Sequence, residues 1–186
     1  MFRRNRSFPE LLEGCRLGKG WAQRQLFESW YGLGLSICLR YAAGREEAEE
    51  MLDDGFLKIL DKIAYYDPEK PFEAWFRTIM THAAIDYFRK HHAPVRQVEL
   101  EEAYDVGEYD PLIEKMAADD ILGLIQRLPA VYRTVFSLYV VDGYSHAEIA
   151  GLLQIQESTS RSNLTKARLR LQQLLTSSKE NDLRYV

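Results

Sequence analysis

The chain has 186 residues, of which 46% are apolar and 28% charged, which is the composition of a folded globular protein with one large domain or two small ones. Its net charge of −4 argues against a protein that coats nucleic acid non-specifically. It has no apolar run near the roughly 20 residues of a membrane-spanning helix, and its basic start MFRRNRSFPELLEG lacks the apolar part of a secretory signal, so we expect a cytoplasmic protein.

Four helices are predicted in the first half of the chain. Ser7 and Glu10 have the S-x-x-E spacing of a capping box, so the first helix begins there, and glycines 18 and 20 end it. Apolar residues at spacings of three and four predict three more helices, over Trp21–Ala42, Glu46–Tyr65 and Phe72–His92.

Charge is segregated along the chain. Acids in the first turn of the third helix suit the helix dipole, but Asp53 and Asp54 lie two turns further on and need another explanation. The fourth helix ends in the basic run from Arg89 to His92. Residues 97–120 then hold nine acids against one lysine, and Ala93–Asp110 lacks apolar periodicity, which predicts an acidic flexible linker.

Helical periodicity resumes after Pro111 and leads to a paired-helix motif. Ser145 and Glu148 form a second capping-box pattern, so a helix begins at His146, and the polar stretch Gln154–Glu157 breaks it. A second helix, capped by Ser158 or a neighbour, has four cations and no acid between residues 158 and 171. This pattern favours a helix-turn-helix whose second helix enters the DNA major groove, although an ordinary bundle with a cationic face would also fit it.

The sequence therefore predicts an all-α fold of two small helical domains, four helices each, joined by the acidic flexible linker. The predicted bounds are 1–92 for the first domain, 93–110 for the linker, 111–178 for the second domain and 179–186 for the tail.

Three stretches resemble the extracytoplasmic-function (ECF) sigma factors, the small two-domain initiation subunits of bacterial RNA polymerase. Residues 48–92, AEEMLDDGFLKILDKIAYYDPEKPFEAWFRTIMTHAAIDYFRKHH, resemble the family's region 2. Residues 128–175, which include GYSHAEIAGLLQIQESTSRSNLTKARLRLQQLL, resemble region 4, and residues 13–31 resemble the usual opening. The motif ESTSRS, residues 157–162, is similar to the corresponding sequence of Bacteroidetes members of the family.

The resemblance implies a dissociable specificity factor without enzymatic chemistry. Region 2 would bind the β′ clamp helices of core RNA polymerase and open the promoter at its −10 element. Region 4 would bind the −35 element and the β flap, and family habit suggests an anti-sigma factor as a further partner. Asn163 and Thr165 depart from the residues common in the family, which leaves the preferred promoter sequence open.

The same resemblance assigns three sets of contact residues. The −35 contacts are Arg161, Ser162, Thr165, Lys166 and Arg168. The −10 contacts are Tyr66, His82, Asp86, Arg89 and Lys90, where aromatic and polar side chains suit the capture of extruded bases. The core polymerase contacts are Glu50, Asp53, Asp54, Phe56 and Leu57, although Phe56 fits the core equally well.

Two other classes of function stay open at this point. A stand-alone helix-turn-helix regulator would bind duplex DNA without polymerase, and a helical adaptor or anti-sigma-like protein would have no role on DNA. An enzyme is the least supported class, because the four histidines and the two cysteines, Cys15 and Cys38, form no nucleophile-base or metal-ligand pattern. We therefore expect no catalytic site, no metal and no cofactor.

Overall fold

A computed structural model describes residues 7–92 and 118–182 of the chain, and the side chains of 7–92 and 121–176. The predicted linker, 93–110, lies outside the described residues. The predicted all-α class is confirmed, since the described residues form helices and turns and contain no strand.

Eight α-helices and two short helical segments make up the part of the chain that the structure describes. The α-helices are α1 Phe8–Arg16, α2 Gly20–Leu39, α3 Arg45–Lys62, α4 Phe72–His92, α5 Ala118–Gln126, α6 Ala130–Phe136, α7 His146–Leu153 and α8 Glu157–Asp182. A 3-10 turn, Ile63–Tyr65, extends α3, and a π-helical turn, Ser137–Val141, extends α6. None of the helices in the described ranges is long and apolar enough to cross a bilayer.

The chain divides into two compact units. The first comprises Met1–Cys38 and Glu46–Ala84, and the second comprises Leu39–Arg45 and Ile85–Val186. The division differs from the predicted bounds, since the α2–α3 connection and the last two turns of α4 group with the second unit. The bounds of the predicted linker stay a prediction.

The first unit is built on large apolar side chains from α2, α3 and α4. Trp30 lies between Phe72 and Phe76, with ring centroids 4.9 and 5.0 Å away. Gly55 allows α3 and α4 to approach closely, because a Cβ there would lie 2.5 Å from the Met80 sulfur. The glycine therefore packs directly on the Met80 side chain, on the side of α3 that faces the core.

Polar side chains in the second unit bind backbone carbonyls at the end of α2 and just after it. The carbonyls of Leu39, Arg40 and Tyr41 have no further helical turn to bind them. They accept hydrogen bonds from Gln126 Nε2 at 3.2 Å, Ser137 Oγ at 2.8 Å and Arg133 Nε at 2.7 Å, respectively. Both Arg133 and Ser137 are buried.

Some helix ends differ from the predicted bounds. Helix α2 ends at Leu39 rather than Ala42, and the Arg40 and Tyr41 carbonyls that follow accept from the side chains of Ser137 and Arg133. Helix α8 begins at Glu157, so of the predicted caps, Ser158 or a neighbour, Ser158 itself lies inside the first turn. The same helix runs to Asp182, four residues beyond the predicted end of the domain at 178.

Candidate nucleic-acid and polymerase interfaces

The predicted helix-turn-helix is present as α7, a three-residue turn and α8. Helix α7 begins with the predicted capping box, in which Ser145 Oγ accepts from the Glu148 N–H and the Glu148 side chain accepts from the Ser145 N–H. Gln154 ends the helix in the left-handed conformation, with φ of 55°. Glycine or asparagine usually adopts this conformation, so a glutamine here does not signal the end of a helix.

One face of α8 packs inward and another faces solvent. The inward face consists of five buried residues at spacings of three and four: Ser160, Leu164, Ala167, Leu171 and Leu174. Of the predicted −35 contacts, Arg161, Ser162 and Arg168 are exposed, while Thr165 and Lys166 are half-buried. The second helix of the motif therefore presents the cations of Arg161 and Arg168 on its outer side, as a groove-reading helix requires.

A buried histidine sits where α7 meets α8. His146 Nδ1 lies 2.9 Å from Ser160 Oγ, and the imidazole stacks on Tyr139 with centroids 4.4 Å apart. Burial, followed by the positive charge of Arg161, lowers the pKa of His146. This histidine was not predicted as a site residue, and the contact indicates that it docks α8 on α7.

The predicted −10 contacts on α4 are accessible to different degrees. His82, Asp86 and Lys90 are exposed. Arg89 is half-buried: its Nε donates to the Leu152 carbonyl at 2.6 Å, and its Nη1 lies 3.3 Å from an Asp86 oxygen. These bonds engage two of the five N–H donors of the guanidinium, so Arg89 is held against Leu152 and Asp86 but keeps donors with which to meet a phosphate.

Tyr66 cannot stack on a base in this conformation. Its ring is 6% exposed and packs on Phe72 and Trp75, and its hydroxyl donates to the Lys70 carbonyl. The preceding residue, Tyr65, is 85% exposed. The sequence favoured Tyr66 because it precedes the 67–71 loop, but the 3-10 turn at the end of α3 rotates Tyr65 outward instead.

The acidic face of α3 is accessible except for its aromatic residue. Glu50, Asp53 and Asp54 are exposed, and Leu57 is 66% exposed. Phe56 is 7% exposed, with its ring edge-on to Phe27 at 4.9 Å between centroids. The assignment of Phe56 to the polymerase surface is therefore corrected: its apolar ring is part of the core, and the neighbouring Leu57 is the apolar group on the surface.

Neither a metal centre nor a cysteine site occurs in the described ranges. Cys15 and Cys38 are both buried, as free thiols, and burial raises the pKa of Cys15, which makes it a poor nucleophile. The described side chains hold no group of three histidine, cysteine or acidic residues that would bind a metal ion. The surfaces that remain are charged helix faces, which suit macromolecular partners.

Two family models match the chain, in the same order as its two groups of helices. Residues 26–93 match Sigma-70 region 2, which covers most of α2 and all of α3 and α4. Residues 118–171 match Sigma-70, region 4, which covers α5 to the basic part of α8. The two matches flank the predicted linker and include only its first residue, 93.

Curated relatives cover both regions. The ECF RNA polymerase sigma factor SigM of Mycobacterium tuberculosis is 27% identical over 173 residues, which is 93% of this chain and 87% of that protein. SigE of Mycolicibacterium smegmatis, another ECF RNA polymerase sigma factor, is 28% identical over 145 residues, or 75% of this chain. That alignment spans 56% of the length of SigE.

Among solved structures, the chain is similar to the sigma factor RpoE in its complex with the anti-sigma factor NepR from Bartonella quintana. The TM-score is 0.49 at 20% sequence identity, and the alignment covers 82% of this chain and 96% of that chain.

Proposed function

The chain belongs to the ECF RNA polymerase sigma factors, and we propose that it joins core RNA polymerase, binds the −35 and −10 promoter elements, melts the −10 region and directs transcription initiation. The observation that carries this is the presence of a region 2 and a region 4 in the family's order. The protein acts by binding alone and has no reaction of its own.

Region 4 reads the −35 element through α8. Arg161, Ser162 and Arg168 are exposed on the outer face, and Thr165 and Lys166 flank it. An arginine in the major groove pairs with guanine through two hydrogen bonds, while lysine and hydroxyl groups also hold phosphates. The buried inward face and the His146–Ser160 contact hold this helix against α7, so the reading side chains project from a rigid support.

Region 2 captures the −10 strand beside the end of α3 and along α4. His82 and Asp86 lie one turn apart on exposed positions, and Lys90 lies one turn further on. Tyr65 takes the stacking role first assigned to Tyr66, since its 85% exposed ring is the one that a flipped base reaches. Arg89 meets the phosphates through guanidinium donors that do not bind the Leu152 carbonyl.

Core polymerase binds the acidic face of α3. Glu50, Asp53 and Asp54 lie one to two turns before the exposed Leu57, on the same side of α3. Carboxylates next to an exposed apolar side chain fit a basic, partly apolar surface such as the β′ clamp helices. The charges speed and orient docking, while the apolar contact gives most of the tightness.

The remaining partners follow from the same assignment. Region 4 also contacts the β flap, and an anti-sigma factor controls the chain by covering the surfaces that polymerase uses. The protein works in the cytoplasm, where its polymerase is. The Bacteroidetes-like wording of residues 157–162 stays a prediction.

Binding of the labelled chain to purified core polymerase tests the proposal. The double variant Asp53→Lys, Asp54→Lys should lower the affinity at least tenfold, because it reverses two charges of the docking face. Glu28→Lys, which reverses an exposed acid on α2, is the matched control and should stay within about twofold. If the chain does not bind core polymerase but binds duplex DNA tightly, it is instead a stand-alone regulator.

A further inference from the structure

One acidic residue, Glu157, lies beside the basic part of α8. Glu157 is the first residue of α8 and precedes Arg161 by one turn. The segment from Ser158 to Leu171 has no acid, so Glu157 is exceptional on this surface. Its side chain is 47% exposed and that of Arg161 64%, so both can be reached by DNA.

The two residues are paired in the structure. Arg161 Nη2 donates to Glu157 Oε1, and the spacing of four residues places both side chains on one face of α8. An arginine has five N–H donors and a carboxylate about four acceptor positions, so the pair keeps further capacity on both sides. The pair also restricts the rotamers of a long side chain before DNA arrives.

The pair lies in the first turns of α8, at the end of the helix that would meet the bases. In a helix-turn-helix, the N-terminal residues of the second helix meet the base edges. A carboxylate in a groove lined by phosphates is repelled unless it accepts a hydrogen bond from a base. Cytosine offers such a donor in the major groove, at N4.

We propose that Glu157 is a specificity-determining residue of the −35 contact, which rests on the function proposed above. Glu157 holds the Arg161 guanidinium so that it pairs with a guanine, and its carboxylate accepts from N4 of a cytosine at an adjacent position. The two residues thus read two base pairs as one preorganised unit. Glu157 also disfavours every sequence that offers its carboxylate no donor.

A promoter library with a randomised −35 element tests this with the intact chain and core polymerase. Run-off products are sequenced for the wild type, for Glu157→Gln and for the control Glu28→Gln, which removes one exposed acid from α2. The wild type should prefer cytosine at one position by at least about fivefold. Because glutamine pairs with adenine, Glu157→Gln should move that preference to adenine and leave the other positions unchanged.

The outcomes separate this inference from the proposed function. If Glu157→Gln selects the same sequences as the wild type and changes only the total yield, Glu157 merely supports the helix and the inference fails alone. If the wild type directs no specific start on any library member, the proposed function fails, and the inference falls with it. Equal melting temperatures of the three proteins make a change in base preference independent of folding.

Discussion

The imidazole of His146 and the hydroxyl of Ser160 lie 2.9 Å apart in the interior of the helix-turn-helix. The contact joins the first residue of α7 to the buried face of α8. Tyr139 covers the imidazole, and Arg161, Glu157 and Arg168 are the charged groups near it. Protonation of His146 would therefore place a positive charge in the protein interior, close to Arg161 and Arg168 on α8.

We predict that the protein loses stability as the pH falls below about 6.5, the ordinary pKa of histidine. Burial lowers the pKa of His146, so the unfolded chain takes up a proton more readily than the folded chain does. The stabilising effect is complete above the unfolded pKa and is lost as the pH falls through the folded pKa. Urea unfolding gives the free energy of unfolding at pH 7.5 and at pH 5.5. The difference between these two free energies should be smaller in His146→Gln than in the wild type. His82→Gln, on the exposed side of α4, is the control. A His146→Gln protein with the full wild-type pH dependence would contradict the assignment.

The second prediction concerns Arg133, which is 3% exposed. Its guanidinium donates to the carbonyls of Tyr41, Leu128 and Gln126 at 2.7, 3.0 and 3.2 Å. Arg133→Met should lower the free energy of unfolding by about 2–4 kcal/mol, because it leaves buried carbonyls without donors. Chemical denaturation measures the change. Arg127→Met, at an exposed position in the same unit, should stay within about 0.5 kcal/mol, and equal losses in the two variants would refute the role of Arg133.

Neighbouring residues on α3 should separate stability from polymerase binding. Phe56→Ala removes a buried ring that packs on Phe27 and should cost about 3–5 kcal/mol of folding free energy. Leu57→Ala, at a 66% exposed position, should leave the melting temperature nearly unchanged and weaken binding to core polymerase. Thermal melts of both variants measure their stability, and titrations with core polymerase measure their binding. The assignment is wrong if Leu57→Ala binds core polymerase like the wild type.

The two adjacent tyrosines should also behave differently. Tyr66→Phe removes the bond from the hydroxyl to the Lys70 carbonyl and should cost about 1 kcal/mol of stability. Tyr65→Ala should leave stability unchanged and reduce promoter opening, because the 85% exposed ring is lost as a stacking surface. Permanganate reactivity of −10 thymines in the polymerase complex reports opening. If Tyr65→Ala opens promoters normally while Tyr66→Phe does not, the stacking role returns to Tyr66.

Helix ends could be predicted from the sequence where the signal that begins or ends the helix lies in neighbouring residues. Both capping boxes, Ser7 with Glu10 and Ser145 with Glu148, occur as predicted, and α4 has the predicted bounds. In these places the signal lies within four residues along the chain, and periodicity alone defines the inward face of α8.

Contacts between residues distant in the sequence account for what could not be predicted. Arg133 gives no sign of burial in the sequence, since arginine is rarely buried unless its donors are bound, and those acceptors lie as far as 92 residues away. The same contacts end α2 early. Phe56 and Leu57 are both apolar and adjacent, so only the packing partner Phe27 shows which of them faces inward.

Run-off transcription with purified core polymerase on genomic fragments tests the central claim most directly. The account predicts that the wild-type chain directs specific starts that core polymerase alone does not make. Arg161→Glu with Lys166→Glu should abolish those starts while core binding persists, because the two charges lie on the face of α8 that reads DNA. A wild-type chain that neither binds core polymerase nor directs any specific start would contradict the account.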